Sequence, residues 1–343
     1  MLKNKILVTG GCGYIGSHTL IELLLRTSYN VISIDNLHNS SLKTLERVAA
    51  ITNKTVKNYA IDLCDATALA QVFDENPDIV GIIHFAALKS VPESVAQPLL
   101  YYRNNVVSLL NLLEITQQRN INYFIFSSSC SVYGNVATLP VHENLPLQKA
   151  ESPYAYTKQV GEEMLKDFVA NSPTQVIALR YFNPVGAHVS GLNGEDPRNP
   201  PTNLLPIITQ TAAGLRKSMT VFGGDYATRD GSCVRDYVHV SDIANAHIIA
   251  LQYLIDQKNT KNFDIFNLGT GNGITVLEAI EAFEKVTGIT LNYIVGERRG
   301  GDVAAIYSDT TKSSNLLGWK TEISLDDMML SAWKWQQQMI KER

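Results

Sequence analysis

The chain has 343 residues, 45% hydrophobic and 18% charged, a composition that fits a globular protein and excludes a disordered one. Lys plus Arg is 29 and Asp plus Glu is 33, a formal charge of −4 with no basic block, so nothing marks a nucleic-acid partner. No apolar run approaches the ~20 residues of a membrane-spanning helix, and Met1–Gly10 lacks the long apolar segment and cleavage site of a secretory signal.

Short β-branched runs are predicted as strands at Lys5–Thr9, Val31–Ile34, Ile79–Phe85, Tyr123–Phe126 and Val176–Arg180. Amphipathic segments between them predict helices, as at Ser17–Leu25, Ala66–Phe73, Val106–Gln118 and Lys158–Ala170. Near-continuous apolar strands alternating with helices predict a doubly wound parallel α/β sheet of the Rossmann kind. After Asn183 the texture changes. His188–Pro206 is rich in Gly, Asn and Pro and reads as a long functional loop. Helices at Ile207–Leu215, Asp242–Leu254, Val276–Thr287 and Asp326–Lys341 then mix with strands at Asp264–Leu268 and Leu291–Val295. This predicts a dinucleotide-binding domain over 1–182 and a smaller mixed α/β substrate domain over 183–343, with a strand such as Asp264–Leu268 free to return to the first sheet. Cys12, Cys64, Cys130 and Cys233 stand far apart, without zinc spacing. No metal is expected, and four reduced thiols point to the cytoplasm.

Gly10-Gly11-Cys12-Gly13-Tyr14-Ile15-Gly16 follows the first strand and opens the first helix. Glycines there allow a tight turn and let backbone approach a pyrophosphate, at which the helix N-terminus points free N–H groups and a positive dipole end. The second strand ends in Asp35, 19 residues beyond Gly16. An acid there bonds the adenosine ribose 2′-OH and repels a 2′-phosphate, and Asn36, Leu37 and His38 supply no arginine to receive one. The cofactor is therefore read as NAD rather than NADP. Asp62-Leu63 suits either an adenine contact or a helix cap before Ala66.

Tyr154-Ala155-Tyr156-Thr157-Lys158 is a Tyr-x-x-x-Lys pair behind Ser152-Pro153, a helix entrance. Positions four apart share one helix face. A cationic Lys158 is expected to favour tyrosinate and lower the Tyr154 pKa from its ordinary ~10, fitting Tyr154 to exchange a proton with a substrate hydroxyl. Lys158 could also bond the nicotinamide ribose. The Ser127-Ser128-Ser129-Cys130-Ser131 run ends a strand at the carboxyl edge of the sheet, where ligands of such folds bind. Each signal alone is weak, since an exposed Tyr–Lys pair or a polar serine loop is ordinary. Their order is specific.

Glycine loop, strand-end serine and Tyr-x-x-x-Lys helix together resemble the extended, sugar-nucleotide branch of the short-chain dehydrogenase/reductase superfamily. TGGxGYIGSH, the Phe85–Ser94 stretch, SSSxxVYG, SPYxxxK and RYFNPVGAH resemble, within it, the UDP-glucose 4-epimerase family over nearly the whole chain. The resemblance implies Ser129, Tyr154 and Lys158 as catalytic residues. It places cofactor contacts on Tyr14, Ile15, Asp35, Asn36, Leu37, His38, Asn39, Ser40, Asp62, Leu63, Phe85, Ala86, Ala87, Leu88, Lys89, Asn104 and Phe182. It places UDP-sugar contacts on Asn183, Asn203, Leu204, Thr220, Val221, Phe222, Arg235, Arg299 and Asp302. The planar forks of Arg235 and Arg299 suit a diphosphate, and Arg298-Arg299-Gly300-Gly301 reads as a phosphate-contacting turn. The implied reaction interconverts UDP-galactose and UDP-glucose. C4 is oxidised with NAD, the 4-ketopyranose turns over while UDP stays anchored, and hydride returns to the opposite face. A homodimer through the Val106–Gln118 and Lys158–Ala170 helices is also implied.

Two departures qualify the resemblance. Related 4,6-dehydratases carry an Asp-Glu pair where this chain has Cys130 and Ser131, so water elimination is not expected. The position controlling room at sugar C2 aligns with Ile306, next to Tyr307. Ile306 is intermediate between the tyrosine that restricts and the small residue that admits N-acetylated sugars, so UDP-GlcNAc and UDP-GalNAc are candidate further substrates. A UDP-uronate epimerase or decarboxylase is a competing expectation, lacking an identifiable cation for the carboxylate. A non-catalytic NAD-binding regulator is another, which would not need Tyr154, Lys158 and Ser129.

Overall fold

A computed structural model describes residues 4–300 and 303–342. Strands and helices alternate as β1 (Lys5–Thr9), α1 (Tyr14–Arg26), β2 (Asn30–Ile34), α2 (Lys43–Thr52), β3 (Lys57–Tyr59), α3 (Ala66–Glu75) and β4 (Ile79–His84). Short helices α4 (Val91–Ala96) and α5 (Pro98–Tyr101) lead through a π-helical stretch, Tyr102–Val107, into α6 (Ser108–Gln118). Then come β5 (Tyr123–Ser129), α7 (Pro153–Ala170), β6 (Gln175–Tyr181), β7 (Asn183–Val185), α8 (Leu204–Ala212), β8 (Met219–Phe222), β9 (Val234–Arg235), β10 (Tyr237–His239) and α9 (Val240–Ile255). The chain continues through β11 (Phe263–Leu268), β12 (Ile274–Thr275), α10 (Val276–Thr287), β13 (Tyr293–Gly296), β14 (Ala305–Ile306) and α11 (Leu325–Lys341).

Two compact units result. The first runs to Val136, resumes over Glu143–Tyr181 and takes in Ala244–Asn267; the second holds Ala137–His142, Phe182–Ile243 and the chain from Leu268. The division is thus not a single cut at residue 182, because 244–267 belongs to the first unit and 137–142 to the second.

The first unit is built on a seven-stranded sheet in the order β11-β6-β5-β4-β1-β2-β3. The pairs from β6 to β3 are parallel, as in Ile6↔Val31, Leu7↔Ile82 and Ile125↔Ile177. The apolar cluster on this sheet includes Leu7, Ile82, Leu112, Phe124, Phe126 and Leu165, all buried, drawn from strands and from the stripes of α6 and α7. The order reverses between β1 and β4, which places the loops after those strands at the switch point where ligands of such sheets bind.

In the second unit, three small sheets (β10-β7, β12-β9-β14 and β13-β8) accompany a core that includes Val221, Phe283, Leu291 and Met328. Helix α10 begins with a capping box, Thr275 and Glu278 each accepting from the other's backbone, and ends at Gly288 in the left-handed region. No helix of the described residues is long and apolar enough to cross a membrane.

Helix α7 positions the predicted tyrosine and lysine. Ser152 caps it, its hydroxyl accepting from Ala155 N, and Pro153 occupies the first turn, where its missing N–H does no harm. The helix seats closely on β5 at Gly161, where a Cβ would lie 2.8 Å from Phe126 Cζ. In an exposed helix Gly→Ala would stabilise by about 1 kcal/mol. Here the Phe126 ring is buried, so Gly161→Ala should destabilise by about 1–3 kcal/mol. Chemical denaturation checks this, and a stabilised variant would show that α7 has slack over the sheet.

Candidate active site

The glycine loop is set by close backbone approaches. Gly10 has φ +71°, and a Cβ on it would lie 2.8 Å from Ala86 N. A Cβ on Gly11 would lie 2.4 Å from Ser33 Oγ, and one on Gly16 would lie 2.1 Å from the Gly10 carbonyl. Gly13 differs, because its nearest contact would be the same carbonyl at 3.2 Å. It is the N-cap of α1, and no side chain caps the helix there. That combination fits an anion at the helix end, because the space a Gly13 side chain would fill lies beside uncapped N–H groups.

Asp35 is buried after β2. Its carboxylate accepts from Cys12 N (3.0 Å), Leu37 N (2.9 Å) and Ser40 Oγ (2.7 Å). An ionised carboxylate has about four acceptor positions, so one is left for a ribose hydroxyl. Leu37 has φ +62°, a conformation uncommon for a branched residue and held by the Asp35 bond to its N–H. Asn36, His38 and Asn39 are exposed beyond it. Asn36 Nδ2 reaches Asp62 Oδ2 at 3.5 Å, and Asp62 accepts from Cys64 N at 2.8 Å. The cap of α3 is Asp65, which accepts from Thr67 N and Ala68 N, so Asp62 is not the helix cap. Leu63 beside it is buried.

The Phe85–Lys89 segment follows β4. Phe85 packs on His247, with centroids 4.6 Å apart, and Lys89 Nζ lies 6.0 Å from the centre of the Tyr14 ring. Ala86 N donates to Thr9 Oγ1 at 3.4 Å, and Ala87 is partly buried. Leu88 is tied through both backbone groups to the buried Asn105 side chain, which also donates to Thr157 Oγ1 at 3.1 Å. Asn105 was not predicted. It sits in the π-helical stretch next to Asn104, whose side chain donates to it at 2.9 Å, and helical periodicity carries no sign of such a turn.

Ser129 ends β5. Its hydroxyl accepts from Ser131 Oγ at 3.0 Å and acts on the Tyr154 phenol, lowering its pKa. Lys158 is buried, with Nζ donating to the Ser127 carbonyl at 2.7 Å and lying 4.9 Å from the centre of the Phe126 ring. The expected lowering of the Tyr154 pKa is not what the chain produces. Burial pushes the phenol up to about 12, against a smaller lowering by Ser129. Burial in turn lowers Lys158 to about 8, opposed by the Glu162 carboxylate.

In the second unit, Phe182 is buried and Asn183 opens β7, its side-chain oxygen buried without a partner. Asn203 is the first-turn neighbour of Leu204 at the start of α8 and donates to Glu195 at 3.0 Å. Thr220, Val221 and Phe222 lie on β8, with the Arg299 guanidinium 5.6 Å from the Phe222 ring centre. Arg298 is an ion-pair partner of Asp225 and stacks on Tyr226, so a structural role accounts for the first arginine of the predicted turn. Arg235 donates to the Val234 and Val303 carbonyls. It pairs in register with Ile306, which puts both side chains on one face and Tyr307 on the other. Sequence reading missed Asp236. Its buried carboxylate accepts from Thr270 N, Thr270 Oγ1, Gly271 N, Ser308 N and Ser308 Oγ. Asp302 lies outside the described residues.

A glycine turn at the switch point of a parallel sheet, with serine, tyrosine and lysine gathered at the same edge, defines a dinucleotide-dependent α/β enzyme. The family model described as GDP-mannose 4,6 dehydratase matches residues 7–331. The UDP-glucose 4-epimerase of Bacillus subtilis is 46% identical over 332 residues, 96% of each chain. Crystal structures agree. UDP-glucose-4-epimerase from Stenotrophomonas maltophila, with bound NAD and formylated UDP-arabinopyranose, superposes with a TM-score of 0.95 at 43% identity, covering 99% of this chain and 100% of that one. The Bifidobacterium longum enzyme in complex with NAD⁺ and UDP gives 0.92 at 47% identity, covering 97% and 98%. The chain belongs to this dehydratase-type family and, within it, to the UDP-glucose 4-epimerase group.

The loop geometry separates two glycines experimentally. Gly13→Ala should fold normally yet bind NAD at least ~10-fold more weakly, equivalent to about 1.4 kcal/mol. Gly16→Ala should lose both stability and binding. Titration of NAD alongside thermal melts checks the contrast, and undiminished binding by Gly13→Ala would place the pyrophosphate elsewhere.

Proposed function

We propose that the chain is an NAD-dependent epimerase that interconverts UDP-galactose and UDP-glucose. C4 of the hexose is oxidised, the 4-keto sugar turns over, and reduction occurs from the opposite face. The observation that carries this is the gathering of three groups: Tyr154 and Lys158 one helical turn apart on α7, with Ser129, at the end of β5, acting on the Tyr154 phenol.

The residues fit the cofactor. The N-terminus of α1 at Gly13, Tyr14 and Ile15 would hold the pyrophosphate, and Asp35 a ribose. Asp62 and Leu63 would flank the adenine, with Phe85–Lys89 and Asn104 along the remainder. When bound, NAD supplies a hydride acceptor and a positive charge. Tyr154 takes the proton from the C4 hydroxyl and returns it after the sugar has turned. A phenol held up at about 12 does not ionise near neutrality unaided, so added positive charge and the Lys158 cation together favour tyrosinate. Ser129 steadies the reacting oxygen by a hydrogen bond.

In the second unit, Arg235 and Arg299 would hold the diphosphate, Thr220–Phe222 with Asn203 and Leu204 the uridine end, and Asn183 a sugar hydroxyl for its unpartnered oxygen. Asp302 is retained in this set on the resemblance. Cys130 and Ser131 offer no acid pair for water elimination, so epimerisation is the reading despite the dehydratase description of the family. Ile306, on the Arg235 face, would border the C2 substituent and leave room for N-acetylated sugars. Exposed Leu110 and Tyr156, with Val95 and Leu99 nearby in the chain, support a homodimer through α6 and α7. Sedimentation as a single protomer would refute that. Four free thiols support a cytoplasmic setting.

Tyr154→Phe should lower turnover by at least ~100-fold while bound NAD is retained. Deuterium placed at C4 of UDP-galactose should remain at C4 of UDP-glucose. Loss of the label to water would replace this route by deprotonation at carbon. The same product analysis with UDP-GlcNAc and UDP-GalNAc tests the wider range, and unchanged N-acetyl turnover in Ile306→Tyr would remove Ile306 as the gate.

A further inference from the structure

Three consecutive serines end β5, and each is tied to a different residue on one stripe of α7. Ser129 acts on the Tyr154 phenol and lowers its pKa. The Ser127 carbonyl accepts from Lys158 Nζ at 2.7 Å. Ser128 Oγ donates to Glu162 Oε1 at 2.5 Å. Tyr154, Lys158 and Glu162 are spaced four apart, so the strand end and the helix meet through three rungs rather than two. The third rung has no part in the chemistry described above, and it is anchored most deeply. Glu162 accepts Arg180 Nε at 2.9 Å and NH2 at 2.5 Å, and the two side chains are 4% and 3% exposed. The guanidinium lies 4.7 Å from the centre of the Tyr133 ring, whose hydroxyl donates to Asn267 Oδ1 on β11 at 2.7 Å. The lattice therefore spans α7, β5, β6 and β11.

A buried ion pair is a poor stabiliser, because desolvation offsets much of its attraction, and apolar replacements are often neutral. Its value lies in fixing one register. We propose that Glu162 and Arg180 are positioning residues for the epimerase reaction. Their buried pair pins α7 to the end of β5 so that Lys158 and Ser129 are both set against Tyr154.

The pair also sets charge at Lys158. The charged or titratable groups that act on that ammonium are Glu162 on its own helix and His84 on β4, with Tyr154 one turn back on α7, and Arg180 and Tyr181 on β6 around them. His84 is held neutral by burial, down at about 3, and Tyr181 is pushed up and bonded to Ser127 Oγ. Glu162 is the anion in that set, and it opposes the burial that brings Lys158 down to about 8. Removing its charge lowers the Lys158 pKa further, so the cation is lost at lower pH.

The inference rests on the epimerase reading, and the wild-type enzyme tests that reading first. Failure of wild-type enzyme with added NAD to convert UDP-galactose would remove the reading before any variant is considered. With wild-type turnover in hand, Glu162→Gln should reduce kcat by between about 10- and 100-fold with KM for UDP-galactose little changed. The alkaline limb of its kcat/KM profile should move down from near pH 8 by about one unit. Glu162→Asp, which keeps the charge, should leave that limb in place while lowering kcat. A folded Glu162→Gln enzyme with wild-type kcat and limb, and only a lower Tm, would make the pair merely structural and overturn the proposal. Should Glu162→Gln not accumulate, Ser128→Ala cuts only the third rung. A kcat reduced about fivefold or more at unchanged KM supports the proposal, and wild-type kcat overturns it.

Discussion

The Lys158 ammonium donating to the Ser127 carbonyl is the contact around which the reactive end of the first unit is arranged. An ammonium taken out of water loses several kcal/mol of solvation unless its surroundings replace it. Here the replacements come from separate elements: a carbonyl at the end of β5, the face of Phe126, and a carboxylate one turn along α7. His84 contributes by staying neutral. Its Nδ1 meets Thr9 Oγ1 at 2.7 Å and its ring stacks on Phe126, so it adds no further cation to surroundings that already hold Lys158 and Arg180. Gly161 belongs to the same constraint, because a side chain there would displace the ring on which the ammonium rests.

The cofactor loop solves the opposite problem with opposite means. Asp35 is a buried anion without a cationic partner, and it is satisfied by two backbone N–H groups and a hydroxyl. One of those donors, Cys12 N, belongs to the glycine turn itself, so the buried acid at the end of β2 also clamps that loop. Gly10 and Gly16 leave that turn no freedom, whereas a Cβ on Gly13 would meet the Gly10 carbonyl at the milder distance of 3.2 Å. A side chain is thus excluded at Gly10 and Gly16 by the fold, and is under a lesser constraint from the chain at Gly13.

Much of this was legible in the sequence where one physical signal dominates. The β1, β4, β5 and β6 strands are apolar because both faces are covered, and α10 has the predicted bounds because capping box and glycine stop are both local. Helix α2 escaped prediction, since its buried stripe is only Thr44, Val48 and Thr52. Helix α8 starts three residues before the predicted Ile207 because Pro206 sits in its first turn, where proline is tolerated, rather than ending the loop. At the candidate site, type and spacing in the sequence single out the glycines, Asp35, Ser129, Tyr154 and Lys158, and the structure puts the glycine turn after β1, Asp35 after β2, Ser129 at the end of β5 and the other two on α7. The sequence does not show which way a lysine points. The expected acidification of Tyr154 is opposed by burial, which raises the phenol and which spacing alone does not reveal. Asn105, Asp236 and the Glu162–Arg180 pair were missed because each acts through partners distant in sequence.

Asp236 shows why such residues matter more in the second unit than their chemistry suggests. Arg235 and Ile306 ride on β9 and β14, strands of two residues each, too short to hold their own register. The neighbouring carboxylate gathers five donors from 270–271 and Ser308, leaving no space for a side chain on Gly269, whose Cβ would lie 2.3 Å from Asp236 Oδ2. A fixed anion thereby does the work that strand length does in the larger sheet. The side chains beside it, an arginine and an isoleucine on one face, can then differ in size or charge without loosening the backbone that presents them. A short-stranded face built this way keeps its geometry in a polar knot, apart from the adjacent side chains, so substitutions at Arg235 or Ile306 need not disturb the fold.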